Sequence, residues 1–368
     1  MKPNLIFVLL DGSRWDRIHT SKEFSNLIKS GTLMNNVSTA FPYTFGALNV
    51  ILTGLYGKEN GVDGYYRVKD LKDDVDFLPE ILHNANYYTV KSLIHEKVLS
   101  DRGFDEKIVD NEFEDDQIKK HTDLLKKLFQ KNQPFFCFLQ SAMIHTETVS
   151  KVLKKFDWDD KNFYDQKNKN MEIYDKAFHH TGIYANKIFQ TVLEANQLDN
   201  TLIIFFTDHG TGIGERFGER NYGSFTFEET IRTFCLFVGF GIKNNQTYAG
   251  NLANIDLFST ILKILNLQSS NKSPGIDHST YLLRGSPLPS SHPTFSETGA
   301  LHGPFPSPEK SNVFCIKSDH MKLIYYKSEK KWELFNLKND PNETKNIYGQ
   351  EIEQEKILKK QLLDWITR

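Results

Sequence analysis

Four unbroken apolar runs punctuate the chain, each closed by a polar or glycine-bearing turn. They are NLIFVLLDG from Asn4, PFFCFLQSAMIH up to His145, NTLIIFFTDHGTG up to Gly212 and TFCLFVGFG up to Gly241. A run without polar alternation reads as a strand buried on both faces, the kind found in parallel sheets. Helical periodicity lies between and after these runs, over 77–84, 116–130, 171–195 and 254–265. Strands alternating with helices predict an α/β fold with a large, mostly parallel but mixed sheet sandwiched by helices.

The pattern changes near residue 269. The stretch SSNKSPGIDHSTYLLRGSPLPSSHP is rich in Ser, Pro and Gly and reads as a connecting loop. Short strand-like segments follow: TFSETGA, SNVFCIKSDH and MKLIYYKSEKKWELFNL, with KSEKK as a hairpin turn. A charged helix over 351–368 closes the chain. The expected division is a catalytic domain over 1–284 and a small C-terminal α+β subdomain over 285–368. The charged stretch 151–169 reads as a plain surface loop, a solvated insertion or a lid.

Bulk composition narrows the partners. The 368 residues carry 45 basic and 47 acidic side chains, a net charge near −2, without the basic excess of a nucleic-acid coat. Cys137, Cys235 and Cys315 are far apart and form no CxxC pair, which argues against a zinc cluster or a disulfide framework and for a reducing compartment. The apolar run before Asp11 is too short for a signal peptide, and no stretch reaches the length of a membrane span. The expectation is a cytoplasmic protein with no membrane span. Oligomeric state is not readable from the chain.

Candidate chemistry gathers at the ends of the apolar runs. Asp11, His145 and the pair Asp208-His209 all sit there, and in open α/β sheets ligands bind beyond the carboxyl ends of the strands. A carboxylate followed by an imidazole on a glycine-flanked turn offers hard oxygen and borderline nitrogen donors to a divalent metal. Asp11 alone reads as a helix cap; taken with Asp208 and His209 it reads as a metal ligand. Thr44, just before FGALNVILTG, is either an N-cap or a nucleophile activated by a metal and the helix dipole. An anion bound there would meet free backbone amides.

These motifs, in this order, resemble the sulfatase family of the alkaline phosphatase superfamily over most of the chain. NLIFVLLDGSRWD resembles the family's first strand with its metal-binding Asp. LTGLYGKENGV resembles the segment after the nucleophile helix. LDNTLIIFFTDHGTGIGE, FEETIRTFCLFVGFGI and WELFNLKNDPNETKNI resemble later family motifs, and the first of these three is the most specific. The resemblance implies an alkaline-phosphatase-like fold. It also implies one metal site built from Asp11, Thr44, Asp208 and His209. His145 would contact the transferred or leaving group. His302, in ALHGPFP, is a further candidate near that pocket, with a loop histidine as the alternative.

The chain also departs from the family. The family's nucleophile is a Cys or Ser in C/S-x-P-x-R, oxidised to formylglycine. Here Thr44 is followed by Phe45-Gly46-Ala47-Leu48, with no Pro or Arg in place. Thr cannot become formylglycine, and a Thr nucleophile resembles instead the phosphoryl-handling branches. Gly12 replaces a second carboxylate, and Ser141 stands where the di-zinc phosphodiesterases carry an Asp, so the second metal site looks incomplete. One ion, Mn²⁺, Mg²⁺, Ca²⁺ or Zn²⁺, is expected. Arg220 is a candidate for a charge that a family Lys would supply. Arg14 either grips a phosphoryl oxygen or forms a structural ion pair with Asp16.

The expected function is therefore metal-dependent hydrolysis of a phosphoester, phosphodiester or phosphonate through Thr44. The alternatives are phosphoryl transfer to a sugar or glycerol hydroxyl, and a non-catalytic relative that binds an anion or glycan. The substrate is expected to be small and anionic or glycan-linked, with specificity in the loops 55–76, 149–169 and 214–226.

Overall fold

The computed structural model describes residues 2–67, 70–288, 291–299, 301–350 and 353–368. Its centre is a sheet that holds nine strands among the described residues. In chain order these are β1 (Asn4–Leu10), β2 (Gly31–Ser38), β3 (Tyr88–Leu93), β4 (Glu106–Val109), β5 (Phe135–Ser141), β6 (Thr201–Phe206), β7 (Arg232–Gly239), β8 (Gln246–Tyr248) and β9 (Leu252–Ala253). The order across the sheet is β4-β3-β5-β1-β6-β7-β2-β8, with β9 also paired to β2. The strands from β4 to β6 run parallel. The apolar runs thus occupy the sheet centre, where helices cover both faces and every side chain of β1, β5 and β6 is buried.

The sheet is mixed because the chain leaves β6 through 207–231 and re-enters at the same end. β7 therefore runs antiparallel to β6. This hairpin-like return keeps the segment 207–231 over the carboxyl ends of the central strands. The predicted helices form close to their expected bounds, at Leu78–Asn84, Gln117–Leu128, Lys167–Glu194 and Asp256–Leu265. Alternation had not marked β2, β3, β4, β8 or β9, which are short, polar-interrupted or at the sheet edge.

A second sheet is antiparallel: β10 (Thr294–Thr298), β11 (Val313–Ser318), β12 (Met321–Tyr326) and β13 (Lys331–Asn336), in that order. The turn between β12 and β13 falls on KSEKK, as expected. The closing helix is described over Glu353–Thr367; its expected start at 351 lies outside the described residues, as do 289–290 in the connecting loop and 300 after β10. Leu358, Leu362 and Trp365 of that helix share one core with Phe314, Ile316 and Leu334 and with Phe41, Tyr43, Val50 and Tyr56 of the first part of the chain. No described helix is long and apolar enough to cross a membrane.

One expectation is corrected. The stretch 151–169 is no plain surface loop. It begins within a π-helical turn at Val149–Leu153 and includes a short helix at Lys161–Asp165 and the start of the helix Lys167–Glu194. Phe163 anchors it, fully buried among polar neighbours that pattern alone read as solvated.

Candidate active site

β1 and β6 are parallel neighbours, with Leu9 opposite Phe206. Asp11 and Asp208 therefore emerge side by side from one sheet edge. Together with His209 they place three donor atoms within 4.8 Å of one another, all buried. His209 Nδ1 donates to the Gly210 carbonyl at 2.8 Å, so in the neutral ring Nε2 carries the lone pair. That lone pair faces Thr44 Oγ1 at 3.4 Å, Asp208 Oδ2 at 3.4 Å and Asp11 Oδ1 at 3.7 Å.

The donor set fits a cation on its own chemistry. Asp208 Oδ2 is buried without a hydrogen-bond partner, and two carboxylates and a lone pair converge on one point. Burial, with the Asp11 charge added, overrides the pull of His209 and pushes the Asp208 carboxyl up to about 6. A bound divalent ion would reverse that. The side chains placed to hold such an ion are Asp11, Asp208 and His209, with the Thr44 hydroxyl next to them at 3.4 Å from His209 Nε2.

Of its two readings, Thr44 does not take that of the cap. It is the first residue of the helix Thr44–Thr53, while Tyr43 occupies the cap with extended backbone and no side-chain cap bond. The Thr44 hydroxyl is turned to His209 rather than to its own helix. Asp11 likewise caps no helix; its Oδ2 accepts from Gln140 Nε2 at 2.8 Å. Gln140 Oε1 in turn accepts the Ile94 amide at 3.2 Å, so the amide that holds the Asp11 carboxylate is itself fixed.

The family's Pro and Arg positions carry different structure. A side chain at Gly46 would meet the Phe41 ring at 2.5 Å, and Leu48 is fully buried in the apolar core. No cation projects from the first turn of this helix. Gly12, in place of a second carboxylate, holds φ of +70°, and a Cβ there would lie 3.0 Å from Thr211 Oγ1.

His145 lies beyond its strand, on the short helix Met143–Thr148. Its Nδ1 meets Glu112 Oε2 at 2.9 Å, and Thr146 Oγ1 donates to the same carboxylate oxygen at 2.8 Å. A carboxylate only accepts, so Nδ1 is protonated and the ring orientation is fixed. Burial opposes the imidazolium, but the Glu112 bond and the charges of Asp11, Glu112 and Asp208 outweigh it and raise the His145 pKa.

The remaining candidates have partners of their own. The Arg14 guanidinium forms the ion pair with Asp16 at 2.9 Å, and also meets Glu215 at 2.6 Å and the Thr211 carbonyl at 2.9 Å. Arg220 donates to the Phe156 carbonyl and so holds the segment 149–169. His302 is exposed on a loop, and its carbonyl accepts from Ser224 Oγ at 3.2 Å.

Three residues at the site went unmarked in the sequence. Gln140 had a signal, as a lone amide inside an apolar strand. Glu112 had none, because it sits in an acidic loop like any solvated one. Tyr222, whose ring lies 4.2 Å from that of His209, comes from a glycine-rich loop without periodicity.

A model of the sulfatase family matches residues 3–267, and a model of the N-sulphoglucosamine sulphohydrolase C-terminal region matches 220–367. The Delta 4,5-hexuronate-2-O-sulfatase of Bacteroides thetaiotaomicron is 28% identical over 210 residues, 54% of this chain and 42% of its own length. The N-acetylglucosamine-6-O-sulfatase of the same organism is 27% identical over 161 residues, 42% of this chain and 27% of its own length. The match thus spans less than half of either relative. Among solved structures, the phosphonate monoester hydrolase of Agrobacterium radiobacter superposes with a TM-score of 0.76 at 14% identity, over 100% of this chain and 96% of its own. A 2-O glycosaminoglycan sulfatase superposes with 0.75 at 18% identity, over 100% and 92%. At these identities the likeness is one of fold.

Proposed function

The chain belongs to the sulfatase family, and from that premise we propose that it is a metal-dependent hydrolase of a phosphoester, phosphodiester or phosphonate, with Thr44 as the nucleophile. The carrying observation is Thr44 Oγ1 at a helix N-terminus, 3.4 Å from His209 Nε2, beside two buried carboxylates.

One divalent ion held by Asp11, Asp208, His209 and Thr44 would supply charge neutralisation and a lowered hydroxyl pKa. The residues do the rest. Thr44 gives its hydroxyl proton to the facing carboxylate of Asp208. Its Oγ1 attacks phosphorus in line, and the bond to the leaving oxygen breaks as the Oγ1–P bond forms. The free amides of the first helical turn stabilise the charge that develops on the phosphoryl oxygens. His145, held by Glu112, delivers a proton to the leaving oxygen. In the second half, water attacks phosphorus while the now neutral His145 takes one of its protons; the Oγ1–P bond breaks as the new O–P bond forms, and Oγ1 recovers the proton held by Asp208.

The test uses chelator-stripped protein with bis-p-nitrophenyl phosphate, p-nitrophenyl phosphate and a p-nitrophenyl phosphonate, with and without Mn²⁺. Turnover is expected only with metal, and Thr44→Ala is expected to lose at least ~10³-fold in kcat. Full activity in Thr44→Ala would remove Thr44 from the mechanism. Glycerol present during turnover separates hydrolysis from transfer, because a transferase yields a phosphorylated glycerol. A second reading, a non-catalytic anion- or glycan-binding protein, is favoured by the burial of Leu48 where a substrate-gripping cation would stand. Metal binding without turnover of any of these esters would support it.

A further inference from the structure

A second cluster lies away from the candidate active site. Asp256 opens the helix Asp256–Leu265, His278 immediately precedes the short helix Ser279–Arg284, and His292 lies just before β10. Their ligand atoms lie within 4.8 Å of one another. His278 Nε2 is 3.1 Å and His292 Nε2 is 2.9 Å from the same oxygen, Asp256 Oδ2. We propose that these three side chains bind a zinc ion that fastens the C-terminal sheet to the main domain.

The convergence of the three ligand atoms carries the inference, and the partners of His292 agree with it. Its Nδ1 faces the Pro293 carbonyl at 3.1 Å and its Nε2 faces the carboxylate. Both partners are acceptors, and a neutral imidazole has one N–H to give. With Nδ1 donating to the carbonyl, the Nε2 lone pair of the neutral ring points at the carboxylate oxygen, where a bound cation would be accepted by both. A backbone carbonyl on the far nitrogen is the usual outer partner of a metal-ligating histidine.

The carboxylate has a matching outer shell. Asp256 Oδ1 accepts the Ile276 amide at 2.9 Å and Oδ2 accepts the Ala253 amide at 3.0 Å. These two bonds already satisfy the turn, so the imidazoles are additional to what the backbone needs. The His278 amide donates to Thr260 Oγ1 at 3.0 Å, which fixes the loop that carries the second ring.

Two imidazoles and one carboxylate favour zinc over the oxygen-preferring Mg²⁺ and Ca²⁺. Zinc bonds of about 2.0–2.2 Å in tetrahedral geometry need ligand atoms roughly 3.3 Å apart, a few tenths more than the two carboxylate–imidazole distances of 3.1 and 2.9 Å. The Asp256 and His278 side chains are 3% exposed, and His292 is 19% exposed. That leaves one open side for a single water as fourth ligand, and too little room for the several exchangeable positions of a catalytic iron site.

The test is metal binding by protein in which Asp11→Asn and Asp208→Asn have disabled the first cluster. After chelation, Zn²⁺ is expected to bind with one equivalent and to raise Tm by roughly 3–6 °C at saturation. Co²⁺ is expected to give the visible absorption of a tetrahedral site. Adding His278→Ala and His292→Ala should abolish all three signals; if that variant does not fold, His292→Asn alone should remove the tetrahedral absorption. Two results would overturn the proposal. One is no zinc bound by the folded protein at neutral pH. The other is binding that the His278 and His292 substitutions leave unchanged. A nitrogen-15 spectrum showing His292 doubly protonated in the presence of zinc would assign the cation as a proton, with the same consequence.

Discussion

Glu112 and His145 illustrate how one carboxylate sets what an imidazole can do. The 2.9 Å contact fixes the proton on Nδ1 and leaves Nε2 as the atom that would serve a leaving group in the proposed reaction. Glu112→Gln keeps the shape and removes the charge. It is expected to lower the His145 pKa, read by NMR titration, and to cut kcat by about 10- to 100-fold on esters with poor leaving groups. Activated nitrophenyl esters, which need little proton donation, should be nearly unaffected. An unchanged His145 titration in Glu112→Gln would show that the pair is packing alone. Thr44→Ser offers the complementary check: it retains the hydroxyl and should keep metal-dependent turnover that Thr44→Ala lacks.

The loop that delivers Glu112 hangs from Asp110, directly after β4. The buried Asp110 carboxylate meets Lys120 at 2.7 Å and His121 at 2.9 Å, both on the helix Gln117–Leu128, and accepts from Ser92 Oγ of β3 at 2.8 Å. Burial alone would raise its pKa, but the His121 and Lys120 bonds override that and hold it at about 2, against an ordinary 3.8. A carboxyl depressed on folding adds stability that is complete above the ordinary value and is lost as pH falls through the folded one. The contribution is about 2–3 kcal/mol, present above pH ~4 and gone by pH ~2. Asp110→Asn should lose it at neutral pH and show a flatter acid limb in urea unfolding between pH 2 and 7. Parallel limbs for the two proteins would contradict this. His145 should also lose its Glu112 partner in part, since the loop would no longer be pinned at both sides.

The two sheets behave as one body because they share a core. Trp365 of the closing helix stacks on Phe295 of β10 at 4.9 Å and meets Tyr56 of the main domain edge-on at 5.2 Å. Below this core, the buried Glu228 links Lys317 and Lys322 of the second sheet to the segment 207–231, at 3.3 Å each, and Lys322 also meets Glu343 at 2.7 Å. The C-terminal part therefore braces the segment that carries Asp208 and His209. A single cooperative unfolding transition is expected, coincident by far-UV CD and tryptophan fluorescence. Trp365→Ala should cost about 3–5 kcal/mol and shift both signals together. A separate early transition in the variant or the parent would show that the second sheet folds independently.

Much of this protein is written locally. Apolar runs without alternation are stable only when both faces are covered, so the α/β sheet and its central strands follow from pattern. Asp11, Asp208 and His209 are legible too, because a polar residue at the end of such a run must emerge at the sheet edge. Thr44 was legible as a candidate, but that it is not the cap depended on where the helix began, and its contact is with His209, 165 residues away. Contacts at that separation leave no periodic trace. Glu112 acts through a partner 33 residues on, and Arg14 and Arg220 are committed to Glu215 and to the Phe156 carbonyl. Charge and type told what these side chains can do; only packing, by bringing distant partners within 3.5 Å, decided which contacts each one makes.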